Sequence, residues 1–409
     1  MRKLLFLTSF LNTLLLASFD GTIIDKLTQK PIQKAIISDS KKSTYSDENG
    51  FFSISSDEKK YHVKAYGYRP HNFNKDTNQS VIELESIKIK ALYLTFWGAN
   101  IHSKTVARAL KIIDKTEVNT LVVDVKNEYG STSFRTSFAQ ANDYGASKDR
   151  TIGNIEDFVK LMKSKNIYLI ARVVVFKDEL QAVNNEDYAI KREDGTIWRN
   201  HDKMAWVDPF DKRSHDYTIS IAEEAAKVGF DEINFDYIRF PAKANLKLKK
   251  ESTEENRLKA IETFLSSAQN RLRKYGVFIS VDTYGNICWV DDDTGIGQTV
   301  TSLAKHSDYI SPMLYPSGFA GGNFGFKHPS EHPYEVIHRS VTNIHETIDS
   351  VRIRPWLQYF KDYAHKKRPY NKYEVTEQIR ATDDSNTSGW MFWSPSSKYH
   401  KCYFEASIE

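Results

Sequence analysis

Cysteine is scarce: only Cys288 and Cys402 occur in 409 residues, too few and too far apart for a disulfide framework or a cysteine-built zinc site. Paired histidines are missing too. His102 stands alone after the first apolar run of the larger domain, and neither His-x-His nor His-Glu-x-x-His occurs. The usual pattern of a metal-dependent hydrolase is therefore absent, and no metal or cofactor is expected. No Gly-x-Ser-x-Gly elbow offers a serine nucleophile. Charge of one sign is not in excess either: 57 basic and 53 acidic side chains give a net charge of +4 and are interspersed, so no basic face awaits nucleic acid. After the first residues no apolar run is long enough to span a bilayer.

The opening "MRKLLFLTSFLNTLLLAS" sets Arg2 and Lys3 before an apolar run that ends in Ala17 and Ser18. This is the layout of an export signal, expected over residues 1–18. An uncleaved anchor is the alternative, disfavoured because the run is shorter than the ~20 apolar residues a span requires. The expected location is periplasmic or extracellular.

Two textures follow. Residues 19–90 carry short alternating runs broken by turn formers, which predicts a small all-β sandwich. From residue 91 to 409 strand-length apolar runs alternate with amphipathic helical segments. The runs are "ALYLTFW", "TLVVDVKNEYG", "IYLIARVVVF", "EINFDYIRFP", "VFISVDTYG", "DYISPMLYP", "IRPWLQYF" and "GWMFWS". Eight runs with intervening helices predict an α/β fold, a (β/α)8 TIM barrel. An open doubly wound sheet would need a glycine-rich phosphate turn after an early strand, but the first run leads into "TFWGANIHSK".

Strand parity locates a site. In a barrel strand, alternate side chains enter the interior, and those near the C-terminal end face the active-site mouth. In "EINFDYI", Asn234 and Asp236 oppose Ile233, Phe235 and Tyr237; in "VFISVDTYG", Asp282 and Tyr284 oppose Ile279 and Val281. The same split directs Asp124, Lys126 and Glu128, Arg172, and Gln358 inward. Asp231 and Glu232 fall at the strand entry, where stabilisation or solvation is expected. Carboxylates gathered on one rim suit glycoside hydrolysis, which needs two acids with pKa values pushed apart. Asp236 is assigned as nucleophile or base and Asp282 as proton donor. Asp124 is the rival acid, Glu128 is also within reach, and an ion pair of Asp236 with Arg172 or Arg239 is the competing structural role.

Aromatic residues at strand ends, Trp97, Tyr237, Tyr284, Tyr315 and Trp393, are expected against sugar rings, with Lys126, Glu128, Arg172, Asn234 and Gln358 as polar contacts; Trp198, Trp206, Trp289 and Trp356 are further aromatic candidates. The loop "YPSGFAGGNFGFKHPSEHPY" is a candidate cover. The charged "AKANLKLKKESTEENRLK" reads as a solvated insertion, with a grip on an anionic polysaccharide as the alternative.

The segment "AWVDPFDKRSHDYTISIAEEAAKVGFDEINFDYIRFP", with "REDGTIW" before it and "YISPMLYPSGF" after, resembles a bacterial family of glycoside hydrolases with an α-amylase-like TIM barrel. That resemblance implies a barrel, retaining acid chemistry at Asp236 and a polysaccharide or oligosaccharide substrate. Asp282 stands where a glutamate donor is usual in the broader amylase pattern. The spacing of "GTIID", "QKPIQKA", "SDENGFFSI" and "YHVKAYGY" resembles the transthyretin-like carboxypeptidase-regulatory fold. A glycan-binding or envelope scaffold that kept the cleft without the chemistry is the alternative function.

Overall fold

The computed structural model describes residues 18–75, 80–243 and 245–404; the expected export signal, apart from Ser18, lies outside them. Seven short strands come first: β1 (Ser18–Asp25), β2 (Ile36–Ser38), β3 (Ser43–Tyr45), β4 (Phe51–Ser55), β5 (Lys60–Lys64), β6 (His71–Asn74) and β7 (Val81–Leu84). They form two sheets, of order β4-β1-β7 and β3-β2-β5-β6. Alternation is plain in β4, where Phe52 and Ile54 are buried between exposed neighbours. These inward residues share a core with Ile23, Ile37, Tyr61, Val63 and Ile82.

Eight parallel strands then close a barrel in chain order: β8 (Ile89–Leu94), β9 (Thr120–Lys126), β10 (Tyr168–Val174), β11 (Glu232–Asp236), β12 (Phe278–Tyr284), β13 (Tyr309–Met313), β14 (Trp356–Gln358) and β15 (Gly389–Trp393). Every residue of β9 and β10 is buried, because a strand sandwiched between the lumen and a helix layer has no solvent face. The crossover helices are α1 (Lys104–Ile113), the pair α2 (Ala139–Asp143) and α3 (Ile155–Ser164), the pair α4 (Glu179–Asn184) and α5 (Lys212–Val228), α6 (Glu254–Leu272), α7 (Val300–Ala304), α8 (Pro333–Asn343) and α9 (Lys372–Asp384). Their ends follow from sequence. Asn154 and Thr253 accept from backbone N–H groups at the starts of α3 and α6, and Asn371 with Glu374 forms a capping box on α9. Gly229 closes α5 at φ 111°.

The outward side chains of the strands, among them Val123, Val173, Phe235 and Val281, join Val106, Phe158, Ile221 and Phe264 of the helices in one core. Each such side chain contributes roughly 1.5–3 kcal/mol of burial. Among the described residues a 3-10 turn (Lys401–Tyr403) but no α-helix follows β15. There Tyr399 and Phe404 pack on Trp390 and Phe392, and the Tyr399 hydroxyl bonds to the Tyr93 and Phe392 carbonyls at 3.0 Å each. The ring closes at Gly389, whose partner is Ile89. Its φ is 115°, and a Cβ there would lie 1.8 Å from the Ile89 carbonyl oxygen, so only glycine fits. Cys288 is buried and Cys402 exposed, and they are not bonded. Among the described residues no helix is long and apolar enough to cross a membrane.

The sandwich covers the N-terminal end of the barrel. Lys64 binds Asp308 at 2.8 Å and the Val277 carbonyl at 3.1 Å, and the Tyr66 and Tyr309 rings meet edge to face at 5.7 Å. Just inside that end, Glu232 is fully buried, accepting from Arg354 at 2.6 Å and from the Tyr168 hydroxyl at 3.1 Å. Asp231 accepts from the Leu169 amide at 2.8 Å and pairs with Lys163. Both acids therefore serve the barrel floor, leaving the opposite rim as the place for chemistry.

Candidate active site

The rim holds an open cavity of about 650 Å³ lined by Glu128, Arg172, Asp236, Tyr237, Arg239, Asp282, Tyr284, Met313, Tyr315, Trp356 and Trp393. Tyr284, Met313 and Tyr315 also wall a neighbouring depression that runs on to Phe319 and Tyr363. The two together make a cleft rather than a closed hole.

Arg172 is its hub. From β10 its guanidinium reaches Asp124 Oδ1 at 2.7 Å, Glu128 Oε1 at 2.9 Å, and Asp236 Oδ2 through Nη2 at 2.5 Å and Nε at 2.9 Å. The Trp393 and Tyr93 rings flank it, with centroids 5.0 and 5.9 Å away. Three carboxylates around one buried cation are mutually fixed, because removing the cation would leave buried charges uncompensated. Asp236 Oδ1 accepts from the Tyr237 amide at 2.6 Å, so each oxygen of Asp236 receives protein donors. That last bond needs an abrupt turn, and Tyr237 takes a left-handed φ of 50°. The strain turns its ring out of the outer face, which strict alternation implies for it, and onto the cavity wall.

Asp282 is built differently. Its Oδ1 accepts from Asn234 Nδ2 at 2.8 Å and Trp356 Nε1 at 2.7 Å, while Oδ2 has no hydrogen-bond partner among the described residues. Burial, with the negative charge of Asp236 added, raises Asp282 well above the ordinary carboxylate value despite those donors. Burial likewise lifts Asp124 to about 6, against the opposing charge of Arg172. Burial would also raise Glu128, but the Arg172 charge outweighs it and holds that acid below its ordinary value. Asp236 and Asp282 sit side by side: Phe235 pairs with Val281 in register, and each acid is the next residue along.

Of the thirteen residues expected at the site, the structure brings Asp236, Asp282, Glu128, Arg172, Tyr237, Tyr284, Tyr315 and Trp393 together at the cavity. Five do not line it. Asp124 is behind Arg172, with its second oxygen accepting from the Tyr93 hydroxyl at 2.5 Å. Lys126 is fully buried and bonded to Asp178 and the Val174 carbonyl, 2.7 Å each. A bulge is responsible: Asp124 pairs with Arg172 but Lys126 with Val173, so the extra residue flips Lys126 to the outer face. Trp97 is 71% exposed, since β8 ends at Leu94 and a 3-10 turn capped by Thr95 swings the ring to the surface. Asn234 lies below the cavity, bonding Ser280 and Asp282. Gln358 is buried, receiving the Ser317 amide at 3.1 Å and donating to the Ser317 hydroxyl at 2.7 Å, and so pins the loop after β13.

Of the further aromatic candidates, Trp356 lines the wall; parity could have placed Met313 there too, since it stands at an inward position of its strand. Arg239 lies three residues beyond β11, out of reach of alternation. The expected pairing of Asp236 with Arg172 or Arg239 is made by Arg172. The candidate cover loop is anchored by Asp362, which accepts from Ser317 at 3.0 Å and Ser330 at 3.3 Å. The charged insertion contributes Lys249 to Asp211.

Residues 91–399 match the family described as "putative glycosyl hydrolase domain", DUF4015. A hypothetical protein from Ruminiclostridium thermocellum ATCC 27405 is 34% identical, covering 47% of this chain and 96% of its own, with a TM-score of 0.42. The glycoside hydrolase domain of PgaB (BpsB) from Bordetella bronchiseptica has a TM-score of 0.57 at 10% identity, over 76% of this chain and 95% of that one, a likeness of fold. A chitinase from Bacteroides thetaiotaomicron covers 77% of this chain and 92% of its own at 12% identity, with a TM-score of 0.48. No curated protein matches the chain.

Proposed function

Because the chain belongs to the DUF4015 glycosyl hydrolase family, we propose that it cleaves a polysaccharide of the cell envelope or surroundings, with Asp236 as nucleophile and Asp282 as proton donor. The observation that carries this is the contrast between two neighbouring acids. Asp236 is surrounded by donors from Arg172 and the Tyr237 amide; Asp282 is raised by burial and by the charge beside it. An acid kept protonated next to one held as an acceptor is the division of labour that glycosidic cleavage needs.

Asp282 protonates the glycosidic oxygen as the bond from that oxygen to the anomeric carbon breaks. Asp236 attacks the same carbon through a free lone pair on Oδ1, giving a glycosyl ester. Asp282, now a carboxylate, takes a proton from water, whose oxygen displaces Asp236 and releases the sugar. Retention is the outcome proposed, since the two acids project from laterally adjacent residues of neighbouring strands, a close placement in keeping with the shorter carboxyl separation of retaining sites. Tyr237, Tyr284, Tyr315, Trp356 and Trp393 supply ring faces for sugars, and the cleft shape suits a polymer. Arg172 and Asp124 act as positioning residues through Asp236.

An exported protein of three parts fits this substrate: a signal over 1–18, a carboxypeptidase-regulatory-like spacer over 19–90, and the hydrolase barrel over 91–409. The test is incubation of the full chain and Asp236→Asn with bacterial exopolysaccharides and peptidoglycan, reading reducing ends and the anomer first formed. The parent should release reducing ends of retained configuration, and Asp236→Asn should lose ~10³-fold or more. Glycan binding by both proteins with hydrolysis by neither would replace the proposal with a scaffold role.

A further inference from the structure

Arg239 is the unpaired cation of the cleft. It is only 9% exposed, and its guanidinium is caged by the rings of Tyr284, Trp206 and Tyr237, with centroids 4.5, 5.0 and 5.4 Å away. Its one hydrogen bond among the described residues runs from Nη1 to the Phe240 carbonyl at 2.9 Å, and no carboxylate there lies within ion-pairing distance. The other buried arginines are matched, Arg172 by three acids and Arg354 by Glu232, as is the half-buried Arg257 by Asp293. A buried arginine is rarely left without an anion. Aromatic faces offset part of the desolvation, but they satisfy none of the four remaining N–H donors out of the five the group carries.

Its place gives the missing partner. Arg239 lines the same cavity wall as Asp236 and Asp282. Tyr284, against which it stacks, is two residues beyond Asp282 on β12, and Tyr237, its other neighbour, donates its amide to Asp236. A group bound by Arg239 therefore belongs to a sugar at the scissile bond or directly beside it. The carboxylates there, Glu128 and Asp236 with Asp124 behind them, outnumber the single charge of Arg172 and would repel a negatively charged sugar unless a second cation received it.

We infer, on the premise of the hydrolase assignment above, that the substrate is an acidic polysaccharide and that Arg239 binds an anionic oxygen group on the sugar next to the cleaved bond. A uronate carboxylate matches the planar fork in a two-point contact, as a sulfate or phosphate ester also does. Arg239 is then a specificity-determining residue, with Trp206 and its own ring cage holding the fork rigid.

The test uses the full chain, Arg239→Gln and Arg239→Lys, all checked for native circular dichroism. The probes are polygalacturonate, alginate and hyaluronan, each compared with itself after chemical reduction of its carboxyl groups, together with sulfated and phosphorylated oligosaccharides. The expected result is cleavage of a carboxylated or ester-bearing polymer at least tenfold better than its neutral counterpart. Arg239→Gln should remove that preference through a rise in KM of about 10- to 100-fold, with Arg239→Lys in between. Equal cleavage of charged and neutral polymers, or an Arg239→Gln defect that lowers kcat on both alike, would overturn the inference and leave the hydrolase assignment standing. If no polymer is cut, the hydrolase assignment falls, and calorimetric binding of the same oligosaccharides decides the inference separately. Anion-dependent binding lost in Arg239→Gln supports it; binding indifferent to the anion, or none, sinks it.

Discussion

Replacing Asp282 with asparagine isolates one proton from everything else the side chain does. Asp282 uses Oδ1 to accept from Asn234 and Trp356, and an amide oxygen can accept both. The fold around the cavity floor should survive, while the acidic hydrogen is gone. General acid catalysis contributes about 10²- to 10⁴-fold, so the variant should lose roughly 3–5 kcal/mol of transition-state stabilisation on a natural polysaccharide. The loss must depend on the leaving group. On an aryl glycoside whose phenolate departs without protonation, the first step should stay within about tenfold of the parent. The pH profile adds an independent check. As the proposed donor, Asp282 must act protonated, so its raised pKa should set the alkaline limb of kcat/KM, which must flatten in Asp282→Asn. Initial rates on both substrates across pH 4–9 read all three effects. A variant with equal losses on the two substrates, or with an unchanged alkaline limb, would refute Asp282 as the donor.

Asp124 carries a pH signature of its own. Its pKa in the folded protein is raised to about 6, so its contribution to stability is fully present below the unfolded value near 4 and is lost as pH rises through about 6. Relative to the parent, Asp124→Asn should gain roughly 2–3 kcal/mol between pH 4 and pH 7, read as the difference of urea unfolding curves; a difference constant with pH would contradict this. At the barrel seam, Gly389→Ala sets a methyl against the Ile89 carbonyl in a backbone conformation unfavourable to L-residues. Overpacking and strain together predict a loss of about 3 kcal/mol or more, and a urea midpoint like the parent's would show that the seam relaxes freely.

The barrel was legible because its strands are buried on both faces. Seven of the eight runs read from the sequence contain the observed strands and the first, which starts at Ala91, overlaps β8, while the amphipathic stretches between the runs supply α1, α3 and α5 to α9. Parity then carried Asp236, Asp282 and Arg172 to the rim correctly, as each precedes any irregularity in its strand. It failed where the strand stops being regular. A bulge after Asp124 inverts Lys126, a 3-10 turn after β8 carries Trp97 away, and a left-handed Tyr237 turns a formally outward ring to the cavity. No periodic signal encodes such local departures. Arg239, read from the sequence only as an ion-pair partner for Asp236, has different surroundings for a related reason, since loop geometry beyond β11 decides what cages it.

The lumen also accounts for the raised pKa of Asp282 beside a cluster so rich in charge. Below the rim the hydrogen-bonded groups are neutral: Asn234 bridges Ser280 and Asp282, and Trp356 donates to the same Asp282 oxygen. The next charges below are Glu232 and Arg354, which pair with each other at the floor. Above, Arg172 is occupied by Asp124, Glu128 and Asp236 and makes no hydrogen bond to Asp282. A carboxyl group given neutral donors on one side and a carboxylate on the other gains little by ionising. The three acids around Arg172 thus do more than hold Asp236: by pairing with that cation they leave Asp282 without an ion-pair partner, as the proposed donor role requires.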